Sequence, residues 1–485
     1  MMAVALMAAS CANDVNEVLT PEAPAQQGYH FIATIAPKTF DATTRTLLKE
    51  EDDNSLSSTW VVEDEILIEY LADASELAQV TARVTAVAAD GSATIEANLT
   101  IEPYDTGAEF NADLTYPASD PQFANQDGTL SAARDLRYGQ AKLKADGSKI
   151  TFAGTPSLEA EGSIFKFTMK DLKEAATNVD KLVISSKDYW DEDDGLTITV
   201  TPTAAASELY VTIPIPDTGS VHTFWFEATS GSSPYIAQAT GSLEIGYYYQ
   251  STLKMATLGD LMNSDGSFSA EKEDGKTPIG VIAYLGNDAT VESAADGGGH
   301  GLVLALKNAA NSVIWGSNAT AWQFGEDFKV TDRDALLRTK NVSGYSNTKD
   351  IGTEDFPVAY AALNYIATAP PGTTGWFLPS AQQWVKMMTG LGGLSETDIV
   401  WESWFDNNHT AADKWEAALE KAGEGNYDSV TSHSLWYWSS SEYSQRNVVR
   451  VFINATLTGD GYGFSVYHGD KSYRYDRWVR SVLAF

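Results

Sequence analysis

The chain has 485 residues, of which 43% are hydrophobic and 20% are charged, a composition typical of folded globular domains. At about 150 residues per domain, this length predicts roughly three domains. The formal net charge of −34 at pH 7 would repel the phosphates of nucleic acids and of anionic lipid headgroups. The charge therefore argues against both of these classes of partner.

The single cysteine, Cys11, directly follows an apolar run from Ala3 to Ser10. This run is too short to cross a bilayer and indicates a secretory signal. Small residues immediately before a cysteine resemble the lipobox of bacterial lipoproteins, in which the thiol accepts a diacylglycerol. We therefore expect residues 1–28 to be a signal and a polar tether, with the exported chain anchored to the outer membrane at Cys11. An ordinary signal peptide with an incidental cysteine is the alternative.

A first β-sandwich domain is predicted over residues 29–130. The run Tyr29–Ala36 and the segment Trp60–Tyr70 read as strands, and further short runs follow at a spacing of about ten residues. Asp90-Gly91 stands between two alternating runs and is a typical hairpin turn.

A second β-sandwich domain is predicted over residues 131–250. The strand pattern loosens between residues 117 and 140, where Pro117, Pro121 and Gly128 occur, and this stretch marks the predicted boundary. Seven further strands are expected at residues 149–152, 163–169, 182–185, 196–201, 208–215, 222–228 and 241–249.

Residues 251–485 have a different character and predict an α+β domain. Ten of the thirteen tryptophans lie there. Ser380 is placed to cap a helix whose apolar residues recur at helical spacing, and residues 411–422 predict a second helix that ends near Gly423. The predicted fold class is therefore mainly β and multidomain, with two transthyretin-like sandwiches followed by this third domain.

The first two domains resemble the fimbrillin-like pilins of type V pili. The resemblance is carried by Thr44-Arg45-Thr46 ahead of the strand Trp60–Tyr70, by Arg134–Tyr138 and by Phe165–Met169. It implies that an arginine-specific protease cuts between Arg45 and Thr46 and releases the first strand. Loss of about four buried apolar side chains and their ladder bonds would cost on the order of 10 kcal/mol, comparable to the stability of a whole domain. A strand from another pilin subunit would then have to refill the groove.

The third domain resembles the C-type-lectin-like fold of bacterial surface proteins and of the formylglycine-generating enzyme superfamily. Five ordered motifs carry this resemblance: Pro278–Tyr284, His300–Leu306, Gly375–Trp384, Leu435–Glu442 and Trp478–Val482. The enzymes of that superfamily depend on active-site cysteines, which this domain lacks. The Glu-Pro-Asn and Gln-Pro-Asp motifs of calcium-dependent lectins are also absent.

Candidate ligand-binding residues lie in two segments of the third domain. Trp436 and Trp438 could stack on a sugar ring, although in this fold such tryptophans usually fill the core. The loop before the last strand mixes aromatic and charged side chains, as adhesive loops do, and a solvated loop is the alternative. Its candidates are Tyr467, His468, Asp470, Tyr473, Arg474, Tyr475 and Asp476.

No cofactor, metal site or catalytic centre is expected. Asp191–Gly195 lacks the ligand spacing of an EF-hand, the glycines at 297–299 are not followed by Lys-Ser/Thr, and no two histidines are spaced for a helical zinc site. The two resemblances together imply a cell-surface pilus subunit, expected to be a tip or accessory adhesin that binds a host or bacterial surface ligand. A non-polymerising surface lipoprotein that captures glycans is the alternative.

Overall fold

Strands make up most of the regular structure. The computed structural model describes residues 27–38, 49–50, 56–71, 77–101, 107–119, 123–131, 135–191, 194–216, 219–286, 299–316, 330–337, 344–402, 409–431, 435–454, 463–473, 475 and 477–485. The chain divides into two compact units, one formed by residues up to 121 together with 131–162, and the other by 122–130 together with 163–485.

The first unit is a β structure with one main sheet and a separate two-stranded ribbon, β2 with β3. Its strands before residue 121 are β1 (Gln27–Ile35), β2 (Lys49–Glu50), β3 (Leu56–Ser57), β4 (Glu65–Leu71), β5 (Leu77–Val87), β6 (Ala93–Ile101) and β7 (Glu109–Tyr116). After β8 (Asn125–Gln126), which pairs in the second unit, the first unit continues with β9 (Arg137–Asp146), β10 (Lys149–Phe152) and β11 (Glu159–Ala160).

The main sheet closes on itself through β1. The strand order is β10-β1-β6-β5-β4-β7-β9-β11, and β10 also pairs with β9. Strand β1 runs antiparallel to β6 along its whole length, from Gln27 opposite Ile101 to Ile35 opposite Ala93. On its other side β1 pairs in parallel with β10 at His30 and Phe31. Because both of its edges are occupied, β1 completes the ring of strands.

Alternation along β1 sends every second side chain into the core. Tyr29, Phe31, Ala33 and Ile35 are 3%, 0%, 6% and 0% exposed. Phe31 contacts Phe152 of β10 edge to face, with 5.1 Å between ring centroids. Since a buried apolar side chain stabilises a fold by about 1.5–3 kcal/mol, β1 supplies a substantial part of the stability of this unit.

The predicted boundary at residue 130 is wrong for the strands that follow it. Residues 137–160 form β9, β10 and β11, which pair within the first sheet rather than the second. The reason is the core: Leu143 and Ile150 are fully buried among the residues of the first unit. The short strand β8 lies before this segment but pairs with the second sheet.

The second sheet belongs to the second unit and has eight strands. They are β8 with β12 (Gly162–Asp171), β13 (Lys181–Asp191), β14 (Asp194–Val200), β15 (Glu208–Pro214), β16 (Val221–Ser230), β17 (Ser233–Ser242) and β18 (Tyr248–Thr257). Their order is β15-β12-β18-β17-β16-β13-β14-β8. Aromatic side chains such as Phe165, Phe167 and Phe226 fill its core, and β12 lies parallel to β18.

The remainder of the second unit is a nine-stranded sheet with helices packed on it. Its strands are β19 (Leu261–Asn263), β20 (Phe268–Ser269), β21 (Pro278–Leu285), β22 (Gly301–Asn311), β23 (Val400–Trp401), β24 (Leu435–Glu442), β25 (Asn447–Asn454), β26 (Gly463–Asp470) and β27 (Arg477–Ala484), in the order β20-β19-β21-β22-β27-β24-β25-β26-β23. The helices are α1 (Arg333–Leu336), α2 (Gly344–Asp350), α3 (Pro357–Leu363), α4 (Ala381–Thr389) and α5 (His409–Glu420).

Two local predictions in this region are confirmed. Ser380 caps α4, and the Gln383 side chain bonds back to the Ser380 backbone to complete a capping box. Helix α5 covers most of the second predicted helix and ends at Glu420, before Gly423. The mainly β, multidomain fold class is confirmed as well, whereas the resemblance to C-type lectins stays a prediction.

The second sheet and the nine-stranded sheet share an apolar junction within the second unit. The ring of Trp225 on β16 stacks on that of His300, with centroids 4.3 Å apart. His300 also contacts the carboxylate of Glu227, and Phe485, which is 1% exposed, packs nearby. The end of β27 is therefore held in a buried junction. Within the described part of the chain, no helix is both long enough and apolar enough to span a bilayer.

We predict that Phe31→Ala lowers the stability of the first unit by about 3–5 kcal/mol, because it removes a fully buried ring and leaves a cavity. Native-state hydrogen exchange of the amides of β6, measured by mass spectrometry, would report the loss. The matched control is Ile32→Ala on the same strand, where the side chain is 39% exposed and about 0.5 kcal/mol or less is expected. Equal effects of the two variants would contradict the burial of β1.

Candidate functional site

A buried lysine stands immediately after β1. The side chain of Lys38 is 3% exposed, and its Nζ lies 3.3 Å from Oδ2 of Asp64 and 3.5 Å from Oδ2 of Asp135. Asp64 precedes β4, and Asp135 precedes β9. The ammonium group therefore connects the end of β1 to two other parts of the same core.

Aromatic rings enclose the ammonium group of Lys38. Its Nζ lies 3.5 Å from the ring centroid of Tyr116 and 4.3 Å from that of Trp60. The Tyr116 hydroxyl donates a hydrogen bond to Oδ1 of Asp64 over 3.1 Å, and Nε1 of Trp60 donates to the carbonyl of Ala36 over 2.7 Å. Cation–π attraction partly compensates for the loss of water around the charge.

Arg137 is the second cation of the cluster and balances the charge of its two carboxylates. Arg137, which is fully buried, donates from Nε to Oδ1 of Asp135 over 2.8 Å, and Ser58 donates to the other oxygen of that carboxylate. With Lys38 and Asp64, two cations face two carboxylates. Buried charges are tolerated when they are paired in this way.

The pKa values in this cluster follow from burial. Burial lowers the pKa of Lys38, while the carboxylates of Asp135 and Asp64 oppose that change. Burial, reinforced by Asp64, raises the pKa of Tyr116 well above its usual value. The phenol therefore stays protonated and keeps donating to Asp64 at any physiological pH.

Three predicted sites fall outside the described residues: Cys11 for lipidation, and Arg45 and Thr46 for proteolytic processing. They remain predictions. The described part of the chain stops at Lys38 and resumes at Lys49, so the buried lysine lies on the amino-terminal side of the predicted cleavage point.

The second candidate site is a sheet face formed by β24, β25, β26 and the first residue of β27 in the second unit. The ring centroids of Trp436 and Phe452 lie 4.3 Å apart, and Tyr467 meets Trp436 edge to face at 5.2 Å. The guanidinium carbon of Arg450 lies 3.9 Å from the centroid of Trp436, and that of Arg477 lies 4.9 Å from it. We call these five side chains the arginine–aromatic face.

Arg450 has an unusual environment within that face. Among the described residues, no acceptor meets its buried Nε, and a second cation, Arg477, lies close enough to repel it. Burial, followed by repulsion from Arg477, lowers the pKa of Arg450 to about 10. It remains a cation at neutral pH. A Cβ at position 469 would lie 2.9 Å from its Nε, so Gly469 leaves the space that the guanidinium occupies.

Tyrosines extend the arginine–aromatic face toward solvent. Tyr473 is 47% exposed, and its ring centroid lies 4.7 Å from the guanidinium carbon of Arg477. Tyr475 is 60% exposed and meets Tyr473 edge to face at 6.1 Å. The neighbouring candidates Arg474 and Asp476 lie outside the described residues.

The remaining candidates add no exposed surface to this face, although Trp438 lies opposite Arg450 in the strand register. Trp438 is fully buried and donates from Nε1 to the carbonyl of Val313 over 3.0 Å, so it has no surface for a ligand. His468 stacks on Tyr443 with centroids 3.9 Å apart, and its Nε2 lies 2.7 Å from Glu402. Asp470 accepts hydrogen bonds from Ser472 and from Arg446, which shape the turn after β26.

Two residues of these sites, Lys38 and Arg450, were not predicted from the sequence. The signal for Arg450 was a single charged residue inside the apolar run from Val448 to Phe452. Lys38 gave no local signal, because its partners lie far along the chain. In the described part of the chain, no three His, Cys, Asp or Glu side chains are grouped to hold a metal ion.

Comparison with known proteins finds matches among solved structures only. No family model matches the chain, and no curated protein sequence matches it. A fimbrial protein from Bacteroides ovatus is 16% identical, with 95% of this chain and 100% of that chain covered and a TM-score of 0.31. A fimbrial assembly protein from Parabacteroides distasonis is 9% identical, with 47% of this chain and 90% of that chain covered and a TM-score of 0.24. At these values the similarities do not establish a shared function.

We predict that Arg450→Met leaves the stability of the second unit unchanged or raises it by about 1 kcal/mol. The folded-state pKa of Arg450 lies below its usual value, so its charge opposes folding at every pH below about 10, and solvent screening keeps the effect small. Differential scanning calorimetry would measure the change.

Arg480→Met is the matched control for that variant. Arg480 is fully buried and donates over 2.7 Å to the carbonyls of both Ala305 and Leu306, so its loss should cost about 3 kcal/mol or more. If Arg450→Met destabilises the chain as much as Arg480→Met does, Arg450 serves packing rather than binding.

Proposed function

We propose that this chain is an exported fimbrial subunit that acts as an adhesin. In this proposal, cleavage after Arg45 releases β1, a strand from another subunit replaces it, and the arginine–aromatic face binds a surface ligand. The observation that carries the proposal is the position of β1, which closes the first sheet and precedes the predicted cleavage point.

One cut would separate β1 from the rest of its sheet. The strand is the first of the described chain, and both of its neighbours, β6 and β10, follow the cleavage point. Its departure would leave two strand edges without partners and an open groove lined by apolar core residues. Such a groove binds an extended strand by main-chain hydrogen bonds and alternate side-chain pockets.

A place at the end of a fibre is part of the proposal. In the pilin family that the sequence resembles, shaft subunits donate a strand after the second sandwich. Here β18, at the corresponding point, pairs with both β12 and β17 inside the second sheet. The last strand, β27, lies between β22 and β24, and Phe485 is 1% exposed. Neither of these two strands could be donated without disrupting its own sheet, and a tip or accessory subunit needs no strand to donate.

The arginine–aromatic face is the proposed adhesive surface. Tryptophan, tyrosine and arginine dominate the energetics of recognition sites because they combine a large apolar area with directed polar groups. Burial and repulsion from Arg477 both disfavour the charged form of Arg450 at this position. A buried cation that lies beside a second cation and has no described acceptor at its Nε is typical of a site that is retained to bind a ligand.

The second candidate function is a non-polymerising surface lipoprotein that captures glycans. The exposed rings of Tyr473 and Tyr475, the first of which lies beside Arg477, favour it, because aromatic faces stack on sugar rings. This alternative needs no release of β1 and keeps both Cys11 and β1 in the mature protein. The two functions therefore differ in the fate of the first strand.

Arg45→Ala should keep the chain in the outer-membrane fraction and reduce its amount in purified fibres at least tenfold, because β1 can no longer leave. Immunoblots of sheared fibres and of membranes would measure the distribution. Arg83→Ala is the matched control, since Arg83 is exposed and pairs only on the surface with Glu63 and Glu65. Normal incorporation of the Arg45→Ala chain into fibres would contradict the processing step.

Gly469→Ala should weaken binding to immobilised glycans or to host-cell membranes by about tenfold or more, because the new methyl group displaces the guanidinium of Arg450 from Trp436. Surface plasmon resonance on whichever surface retains the native chain would measure the change. Gly241→Ala is the matched control, since its Cβ would meet nothing within 4 Å. Unchanged binding of the Gly469→Ala chain would exclude the arginine–aromatic face as the adhesive surface.

A further inference from the structure

The buried charges around Lys38 restrict which strand can replace β1. Lys38 lies three residues after Ile35, the last buried apolar residue of β1, and belongs to the segment that cleavage after Arg45 would remove. Asp64, Asp135 and Arg137 would stay behind. The cluster would then change from two cations with two carboxylates to one cation with two carboxylates.

The loss of Lys38 would leave Asp64 as the less well compensated carboxylate. Arg137 bonds to Asp135, which keeps its own cation. Asp64 retains hydrogen bonds from the backbone of Val61 over 2.9 Å and from the Tyr116 hydroxyl over 3.1 Å, but it loses its ion pair with Lys38. Removing one partner of a buried ion pair is strongly destabilising, because the remaining charge stays away from water.

The space that Lys38 vacates also favours a cation. The rings of Tyr116 and Trp60 present their faces to the ammonium group at 3.5 Å and 4.3 Å. Aromatic faces attract cations and offer no hydrogen bond to a neutral polar group of the same size. An apolar side chain would fill the volume, but it would leave the negative charge uncompensated.

From these contacts we infer that the strand that replaces β1 must carry a basic side chain three residues after its last buried apolar residue. This inference rests on the proposed strand exchange and specifies the chemistry of the partner. The occupant is an alternating apolar strand of another subunit that ends in a lysine or arginine, which fixes its register as well as its identity. A strand shifted by two residues would keep the apolar alternation but would lose the ion pair.

The test uses the full chain with the recognition sequence of a highly specific protease in place of residues 40–45. After cleavage, the protein is unfolded in urea and refolded in an excess of a labelled peptide of residues 27–39, with either lysine or norleucine at position 38. Fluorescence anisotropy measures the affinity. The lysine peptide should bind about 100-fold more tightly or better. A control peptide with Ile32→Thr, at an exposed position, should bind as the lysine peptide does.

A charge-balancing variant of the receptor separates this inference from a general packing effect. In an Asp64→Asn chain, Asp135 and Arg137 balance each other, so the advantage of lysine over norleucine should fall at least tenfold. Equal binding of both peptides to the unchanged chain would overturn the inference and leave strand exchange intact. Binding of neither peptide would overturn the proposed strand exchange and the inference with it.

Discussion

The ion pairs of Lys38 with Asp64 and Asp135 are the constraint on which the first unit depends. They lie at the point where β1 ends, and they join β1 to the segments that precede β4 and β9. The apolar side chains of β1 give the unit much of its stability, but many strands with alternating apolar residues could supply the same burial. Far fewer strands are compatible with the buried charges, because a misplaced or missing cation leaves a carboxylate without compensation. Stability and selectivity thus come from different parts of the same segment.

The second unit combines a rigid support with a largely buried arginine–aromatic face that the exposed rings of Tyr473 and Tyr475 extend toward solvent. Stacking of Trp225 on His300 and burial of Phe485 fix the junction between its two sheets. Strands β24, β25 and β26 then hold the members of this face on neighbouring positions, because the antiparallel register sets Trp436 opposite Phe452 and Arg450 opposite Tyr467. A site built on paired strands is held more precisely than one on a loop alone.

Local signals predicted much of the fold. The strand at Tyr29–Ala36, the hairpin at Asp90-Gly91 and the capped helix after Ser380 depend on neighbouring residues, and all three occur in the structure. The boundary at residue 130 failed because β9 and β10 join the first sheet by long-range pairing, which alternation alone does not specify.

The candidate sites could not be predicted from local patterns either, because they depend on contacts between distant parts of the chain. Trp436 and Trp438 occupy equivalent positions in the sequence pattern, yet only Trp436 is partly exposed. In the sequence, Lys38, Asp64 and Asp135 have the pattern of exposed charged residues, because only the fold brings them together.

The fate of β1 in the cell is the most direct test of this account. Mass spectrometry of the mature protein, extracted from the cell surface, would identify its first residue and show whether peptides from residues 27–38 are present. The account predicts a chain that begins at Thr46, lacks those peptides and is joined to a strand from another subunit. A mature chain that begins at an acylated Cys11 in every molecule would contradict strand exchange and favour the anchored glycan-binding protein.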